Sequence, residues 1–202
     1  MKGCMFNKIL ENSYVWDLSR YALDLTCGLY NKRNSYLKSL DIIKDDTSVL
    51  DIGCRTGLFA DVTDGYYVGI DLDYQRIRRA KQKKFKKKKY FQCIDLCTLA
   101  KEKRKFDIVL IADVLHHLND KESIDLLKTS ARITNKYLMS FEPVLYEKRN
   151  VLEKWLEIVD GGNYCRYLKE FNSLFTSSGY KIKKNADITM GFLTTHFTIC
   201  SC

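Results

Sequence analysis

Four acids stand in or just after apolar runs. Asp51 lies within Val49-Leu50-Asp51-Ile52, and Asp71 closes Tyr66-Tyr67-Val68-Gly69-Ile70. Asp95 follows Tyr90-Phe91-Gln92-Cys93-Ile94, and Asp113 closes the run from Phe106 to Ala112. Carboxylates at strand ends can accept hydrogen bonds from a ligand lying across the crevice beyond them. Gly53-Cys54-Arg55-Thr56-Gly57 forms a glycine-bearing turn between the first run and a helix start at Leu58-Phe59-Ala60. Backbone N–H groups at such a turn receive polar ligand groups. A dinucleotide fingerprint needs glycines at i, i+2 and i+5, and Arg55 and Leu58 occupy the last two of those positions. Proton transfer is the second available chemistry. His116, His117 and Glu142 stand at strand ends, with His196 further along, and each could take a proton from an acceptor group. Adjacent histidines on a helical turn point about 100° apart, so only one of the pair can face the reacting atom; His116 is preferred.

The elements that must position these groups alternate strand and helix, which predicts a parallel sheet with crossover helices. Residues 12 to 27 read as an amphipathic helix with Val15, Leu18, Ala22 and Leu25 on one stripe. A second helix covers about 31 to 40. The helix after Asp71 runs on through a lysine block. Asn119 with Glu122 makes a capping-box start for a helix burying Ile124, Leu127 and Ala131. Thr134-Asn135-Lys136 is read as a turn, and Tyr137 to Phe141 as a fifth strand ending at Glu142-Pro143. Val144 to Asn163 is an insertion, with Val151, Leu152, Trp155, Leu156 and Val159 on one helix face. Tyr164, Tyr167, Leu168, Phe171, Leu174 and Phe175 mark a further helix ended by Gly179. Lys181-Ile182-Lys183 and Phe197-Thr198-Ile199 alternate as a final antiparallel pair.

The set Asp51-x-Gly53-x-x-x-Gly57, three acid-ended strands and Val114-Leu115-His116-His117-Leu118 resembles the class I S-adenosylmethionine-dependent methyltransferases, with motifs in order from about residue 45 to 202. Within that family the layout is similar to small bacterial methyltransferase-domain proteins. Gly161-Gly162-Asn163-Tyr164-Cys165-Arg166 is similar to a Gly-x-Asn-x-x-Arg segment found there. The resemblance implies a Rossmann-like α/β fold, a mostly parallel seven-stranded sheet with helices on both faces. It implies S-adenosylmethionine as cofactor and S-adenosylhomocysteine as product. Asp51, Gly53, Cys54 and Gly57 are expected at the methionine end, Asp71 at the ribose hydroxyls and Asp95 at the adenine amino group. Leu72, Leu96 and Asp113 complete the cofactor set. His116 and Glu142 are the expected catalytic groups. Tyr14, Tyr21, Trp155 and Arg166 are the expected substrate contacts, with no metal. One departure stands out: the central glycine common in the first motif is Arg55 here.

The chain divides, on this reading, as one methyltransferase domain over 1–202: an N-terminal helical cap (1–44), a cofactor-binding half (45–143), an inserted cap over the site (144–163) and the C-terminal half of the sheet (164–202). No run of apolar residues is long enough for a membrane span or a signal sequence. The eight cysteines form no paired C-x-x-C sets, as expected of reduced thiols in the cytoplasm. The net charge is +9, yet Arg76 to Lys89 alone holds three Arg and seven Lys with no acid. The helix reading places Lys83 to Lys89 at the far rim, roughly 20 Å from the cofactor at 1.5 Å rise per residue. The resemblance and the aromatic-rich caps favour methylation of a hydroxyl or amine on a small molecule: a metabolite, sugar or lipid-like precursor. Nucleic acid is disfavoured as substrate. Asp113-Val114-Leu115-His116 does not match the Asp/Asn-Pro-Pro-aromatic segment of amino-group DNA methyltransferases, and Pro143 is followed by Val144 and not by the cysteine of the cytosine-C5 enzymes. Two alternatives stay open: an RNA or protein methyltransferase docking through Lys83 to Lys89, and a non-catalytic S-adenosylmethionine-binding protein, motivated by Arg55. Oligomeric state and acceptor are not written in the sequence.

Overall fold

The computed structural model describes residues 21–22, 24–147, 162–191 and 193–201. Its frame is a seven-stranded sheet built from β1 (Val49–Ile52), β2 (Tyr67–Asp71), β3 (Tyr90–Cys93), β4 (Phe106–Ala112), β5 (Thr134–Glu142), β8 (Lys181–Met190) and β9 (Leu193–Ser201). The order across the sheet is β3-β2-β1-β4-β5-β9-β8. All neighbours are parallel except β9, which runs antiparallel to both β5 and β8. This is the expected Rossmann-like class I methyltransferase architecture. Two further strands, β6 (Val144–Leu145) and β7 (Arg166–Tyr167), pair in a small parallel ribbon that the sequence did not announce.

β1 and β2 are buried along their whole length, as strands covered on both faces must be. One face carries α1 (Leu29–Ser39) and α2 (Tyr74–Gln82), whose Leu37 and Ile77 join Tyr67, Ile108, Met139 and Phe197 in one core. The other carries α3 (Leu96–Ala100), α4 (Asp120–Ile133) and α5 (Leu168–Ser177) over Leu50, Ile70, Val109 and Leu138. Asp73 caps α2 by accepting from the N–H groups of Gln75 and Arg76. Asn119 and Glu122 form the expected capping box of α4.

Several expectations change. No α-helix follows the turn after β1; only a short 3-10 turn, Ala60–Val62, is formed. The fourteen residues between Ile52 and Tyr67 are taken up by the glycine turn, the 3-10 turn and the loop that leads into β2. The Thr134-Asn135-Lys136 turn is absent, because α4 passes directly into β5 at Thr134. The Thr134 hydroxyl donates to the Ser130 carbonyl at 2.7 Å, satisfying a helix-end acceptor without a glycine. The last helix starts at Leu168, so Tyr164 and Tyr167 lie before it and are exposed. In the N-terminal region residues 21–22 and 24–27 are helical, but Ala22 and Leu25, expected on the buried stripe, are exposed. Val15, Leu18 and the insertion face from Val151 to Val159 lie outside the described residues.

The lysine block also departs from the helix reading. α2 stops at Gln82 and Lys83 takes an extended conformation, so the run reaches the far rim, where Lys88 lies over Tyr90, as a loop and not as a helix end. Lys83 Nζ donates to Thr56 Oγ1 at 2.9 Å, within the turn after β1.

Close packing fixes Gly69 in the middle of β2. A Cβ there would lie 2.7 Å from Cys54 Sγ and 2.9 Å from Cys54 Cβ. Gly69→Ala should therefore lower the unfolding free energy by about 1–3 kcal/mol, the usual cost of overpacking. Urea denaturation of the two proteins side by side measures it.

Candidate functional site

The sheet reverses its winding between β1 and β4, and in open α/β sheets ligands bind beyond the strand ends at that point. Tyr30, Asp51, Gly53, Cys54, Arg55, Leu58, Phe59, Ala112 and Asp113 line a crevice here.

The turn after β1 keeps left-handed backbone at Gly53 (φ 70°), Arg55 (φ 51°) and Gly57 (φ 78°). Arg55 thus takes the conformation that favours glycine, at a strain on the order of 1 kcal/mol. Its N–H donates to Asp71 Oδ2 at 2.9 Å, while the Asp73 N–H donates to Asp71 Oδ1 at 2.9 Å. Asp71 is thereby held at the end of β2 with lone pairs left on both oxygens. The Arg55 guanidinium reaches across the crevice to the Asp113 carbonyl (3.3 Å) and lies 3.4 Å from His117 Nε2. Asp95 is exposed at the end of β3; it accepts from the Thr98 N–H at 2.7 Å and the Thr98 hydroxyl at 2.9 Å, and the Thr98 N–H holds its carboxyl below the usual range. Leu72 is exposed and Leu96 buried on either side of this rim.

Asp51 is fully buried and accepts a hydrogen bond from the Tyr67 hydroxyl at 2.6 Å. Burial pushes its carboxyl up to about 7; the Tyr67 hydrogen bond opposes this and the Asp71 charge adds to it. Burial likewise raises the Cys54 thiol.

Asp113, at φ 55°, receives both terminal nitrogens of Arg33, at 2.7 and 3.2 Å. Arg33 is buried on α1, donates also to Thr195 Oγ1 at 2.9 Å, and stacks over Phe141 at 5.5 Å. Sequence reasoning missed Arg33. Its signal was available: Leu29, Arg33 and Leu37 fall at i, i+4 and i+8, so a cation stands in the apolar stripe of α1.

His116 and Glu142 are brought together. Glu142 is 1% exposed and accepts from the Val114 and Leu115 N–H groups, both at 2.8 Å, and from the His116 N–H at 3.4 Å. His116 Nδ1 lies 2.7 Å from its second oxygen. His116 is buried and His117 exposed, yet the two rings are in contact, centroids 4.1 Å apart, and are not turned away from one another as expected. Gly162 packs on the His116 ring, where a Cβ would lie 2.3 Å from Cδ2.

The expected substrate contacts fare differently. Arg166 is buried, and its donors go to Asp120 Oδ1 (2.8 Å) and the carbonyls of Leu115 (2.9 Å), Tyr164 (2.9 Å) and Leu118 (2.6 Å). It clamps the turn that carries His116, and its guanidinium is engaged by the protein itself. Tyr21 is exposed beside a pocket shared with Asp24, Tyr30, Asn31, Asn34, Leu58 and Lys83. Tyr14 and Trp155 lie outside the described residues.

Comparison with known proteins follows the same outline. A family profile described as a methyltransferase domain matches residues 50–136. Over 135 residues the chain is 32% identical to the ubiquinone biosynthesis O-methyltransferase of Pelagibacter ubique (strain HTCC1062), covering 60% of this chain and 56% of that protein. The chain thus spans little more than half the length of this curated relative. Among solved structures, magnesium protoporphyrin IX methyltransferase from Synechocystis PCC 6803 with bound SAH superposes with a TM-score of 0.68 at 18% identity, covering 86% of this chain and 82% of that one. The plantazolicin methyltransferase BpumL, in complex with a pentazolic desmethylPZN analog and SAH, gives a TM-score of 0.68 at 15% identity, covering 99% and 95%.

Asp51 generates a prediction in stability. Its folded-state pKa lies above the unfolded value of 3.8, so the folded state holds a proton that the unfolded state has lost between the two. The stabilisation is complete below about pH 4, declines as pH rises through about 7 and is absent above. For a shift of about three units this is on the order of 4 kcal/mol. Asp51→Asn should flatten the dependence, and urea denaturation of both proteins at acid, neutral and alkaline pH reads the difference.

Proposed function

We propose that the protein is an S-adenosylmethionine-dependent methyltransferase acting on a small molecule, a reading supported by the match of residues 50–136 to a methyltransferase-domain profile and by the class I strand order. The observation that carries this reading is Asp71. Its carboxylate is oriented by the Arg55 and Asp73 N–H groups at the strand end beside the reversal point. The left-handed Arg55 keeps the turn geometry that its side chain put in question, which supports cofactor binding at this turn.

On this reading the backbone of Gly53, Cys54 and Gly57, with Asp51 and Asp113, holds the methionine end. Asp71 and Leu72 hold the ribose, and Asp95 and Leu96 hold the adenine. When bound, S-adenosylmethionine supplies an electrophilic methyl on sulfonium sulfur and departs as S-adenosylhomocysteine. The chain's own part is alignment, exclusion of water and management of one proton. With His116 Nδ1–H donating to Glu142, Nε2 is the proton-accepting nitrogen, and Glu142 steadies the imidazolium that forms. That arrangement suits an acceptor which loses a proton, a hydroxyl or an amine. Among printed names, the Pelagibacter relative is an O-methyltransferase, which supports the hydroxyl. No described helix is long and apolar enough to cross a membrane.

Calorimetric titration with S-adenosylmethionine and S-adenosylhomocysteine tests the donor site. Both should bind, and Asp71→Ala should weaken each about tenfold or more, the value of roughly one charged hydrogen bond; equal affinity in wild type and variant would sink the assignment. His116→Gln should leave those affinities unchanged. Once an acceptor is identified by methyl mass shift from a metabolite library, the same variant should slow turnover by about 10²–10⁴. A rate equal to wild type would remove His116 from the mechanism.

A further inference from the structure

The chain's excess positive charge is gathered in one place. The ten cations between Arg76 and Lys89, set against a net charge of +9, leave the remainder of the chain at about −1. The fold gives this block a shape. After α2 ends, the loop turns back on residues 56–63. Lys83 is tied to Thr56 at 2.9 Å, the Lys86 N–H to Asp61 Oδ1 at 3.3 Å, and Lys89 Nζ to the Thr63 carbonyl. Phe85 and Phe91 pack together at 5.4 Å and press on Gly57, where a Cβ would meet them at 3.1 and 2.9 Å. The product is an open groove of about 340 Å³, floored by the two phenylalanines and walled by Lys81, Lys83 and Lys86 to Lys89.

The groove leads to an aromatic pair. Tyr90 opens β3 and Tyr66 precedes β2, both at the rim opposite the strand-end acids. Their rings lie 5.2 Å apart and stay 38% and 36% exposed, with Tyr66 stacked on Phe106 at 6.2 Å. Lys88 Nζ sits 5.2 Å over Tyr90, and the Arg104 guanidinium 5.0 Å over Tyr66. Arg104 belongs to the exposed loop 101–105, which carries four cations and one acid.

We propose that this surface binds single-stranded nucleic acid, at a site separate from the one proposed for methyl transfer. A positive groove that follows a phosphate chain, continuous with accessible aromatic rings, meets the two requirements of sequence-tolerant single-strand binding. An anionic bilayer fits less well. Peripheral membrane faces insert exposed apolar side chains among their cations, and here Phe85 and Phe91 are turned inward on Gly57. Phosphates are held by Lys81, Lys86 and Lys87, and bases stack at Tyr66 and Tyr90. The site needs neither donor nor acceptor, so it stands or falls independently of the methyltransferase reading.

Fluorescence anisotropy with labelled oligo(A) and oligo(U) dodecamers, in the absence of S-adenosylmethionine, tests it. Wild-type protein should bind both at low salt, with log affinity falling against log salt by about 0.7 per phosphate held. The double variant Lys86→Glu/Lys87→Glu should bind at least tenfold more weakly. Tyr90→Ser should lower oligo(A) affinity at least fivefold, and thermal melts should match wild type in both. Three results would overturn the proposal: no binding at low salt, binding indifferent to the charge reversal, or loss on charge reversal with no effect of Tyr90→Ser. Tighter association with phosphatidylserine vesicles than with either oligonucleotide would overturn it in favour of a membrane surface.

Discussion

A carboxylate with almost no access to water is costly unless its lone pairs are filled. Glu142 fills them with the N–H groups of Val114, Leu115 and His116 and with the His116 ring. From the other side, Arg166 takes the carbonyls of Leu115, Leu118 and Tyr164. The short segment after β4 is therefore held between an anion that collects its donors and a cation that collects its acceptors. Neither charge would be tolerated in the interior alone, and the turn without them would leave buried backbone groups unpaired. The position of the histidine proposed to move the proton is a by-product of this arrangement.

A second pair of charges acts on the neighbouring strand end. Arg33 binds Asp113 with two nitrogens and Thr195 with one, so α1, β4 and β9 meet at a single guanidinium. Arg55 adds a bridge from the turn after β1 to the carbonyl of that same aspartate. The reversal point of the sheet is braced from both sides by arginine, whose flat, multiply donating head suits such junctions better than lysine. An aspartate held in left-handed backbone then has its strain offset by charge-assisted hydrogen bonds.

Much of this was legible before any coordinates. The strand runs are continuous hydrophobic segments with an acid at or beyond the end, a pattern that only doubly covered parallel strands produce, and the Asn119–Glu122 cap states its own helix start. Where the reading failed, the deciding fact was tertiary. Arg166 looked like a ligand contact because a lone arginine after a glycine pair carries no mark of the three carbonyls it will meet. Glu142 was marked as a candidate at a strand end, yet its partners arrive from 26 to 28 residues upstream and no local pattern joins them. The helix expected after Gly57 had favourable residues but forms only the 3-10 turn Ala60–Val62. Thr134 showed the reverse: a hydroxyl did the work for which a glycine turn was expected.

The missing helix after β1 has a consequence for how the molecule assembles. A strand, turn and crossover helix adjacent in sequence close through local contacts, which form early. Here the underside of that turn is sealed by Phe85 and Phe91, which are made some thirty residues later. The turn after β1 cannot reach its final shape until β3 has been synthesised and laid down. The start of the chain is thus obliged to wait for non-local contacts, the circumstance that slows folding and prolongs exposure of apolar surface. Altering the length of the 83–89 loop would register first in the rate of refolding, ahead of any change in the finished sheet.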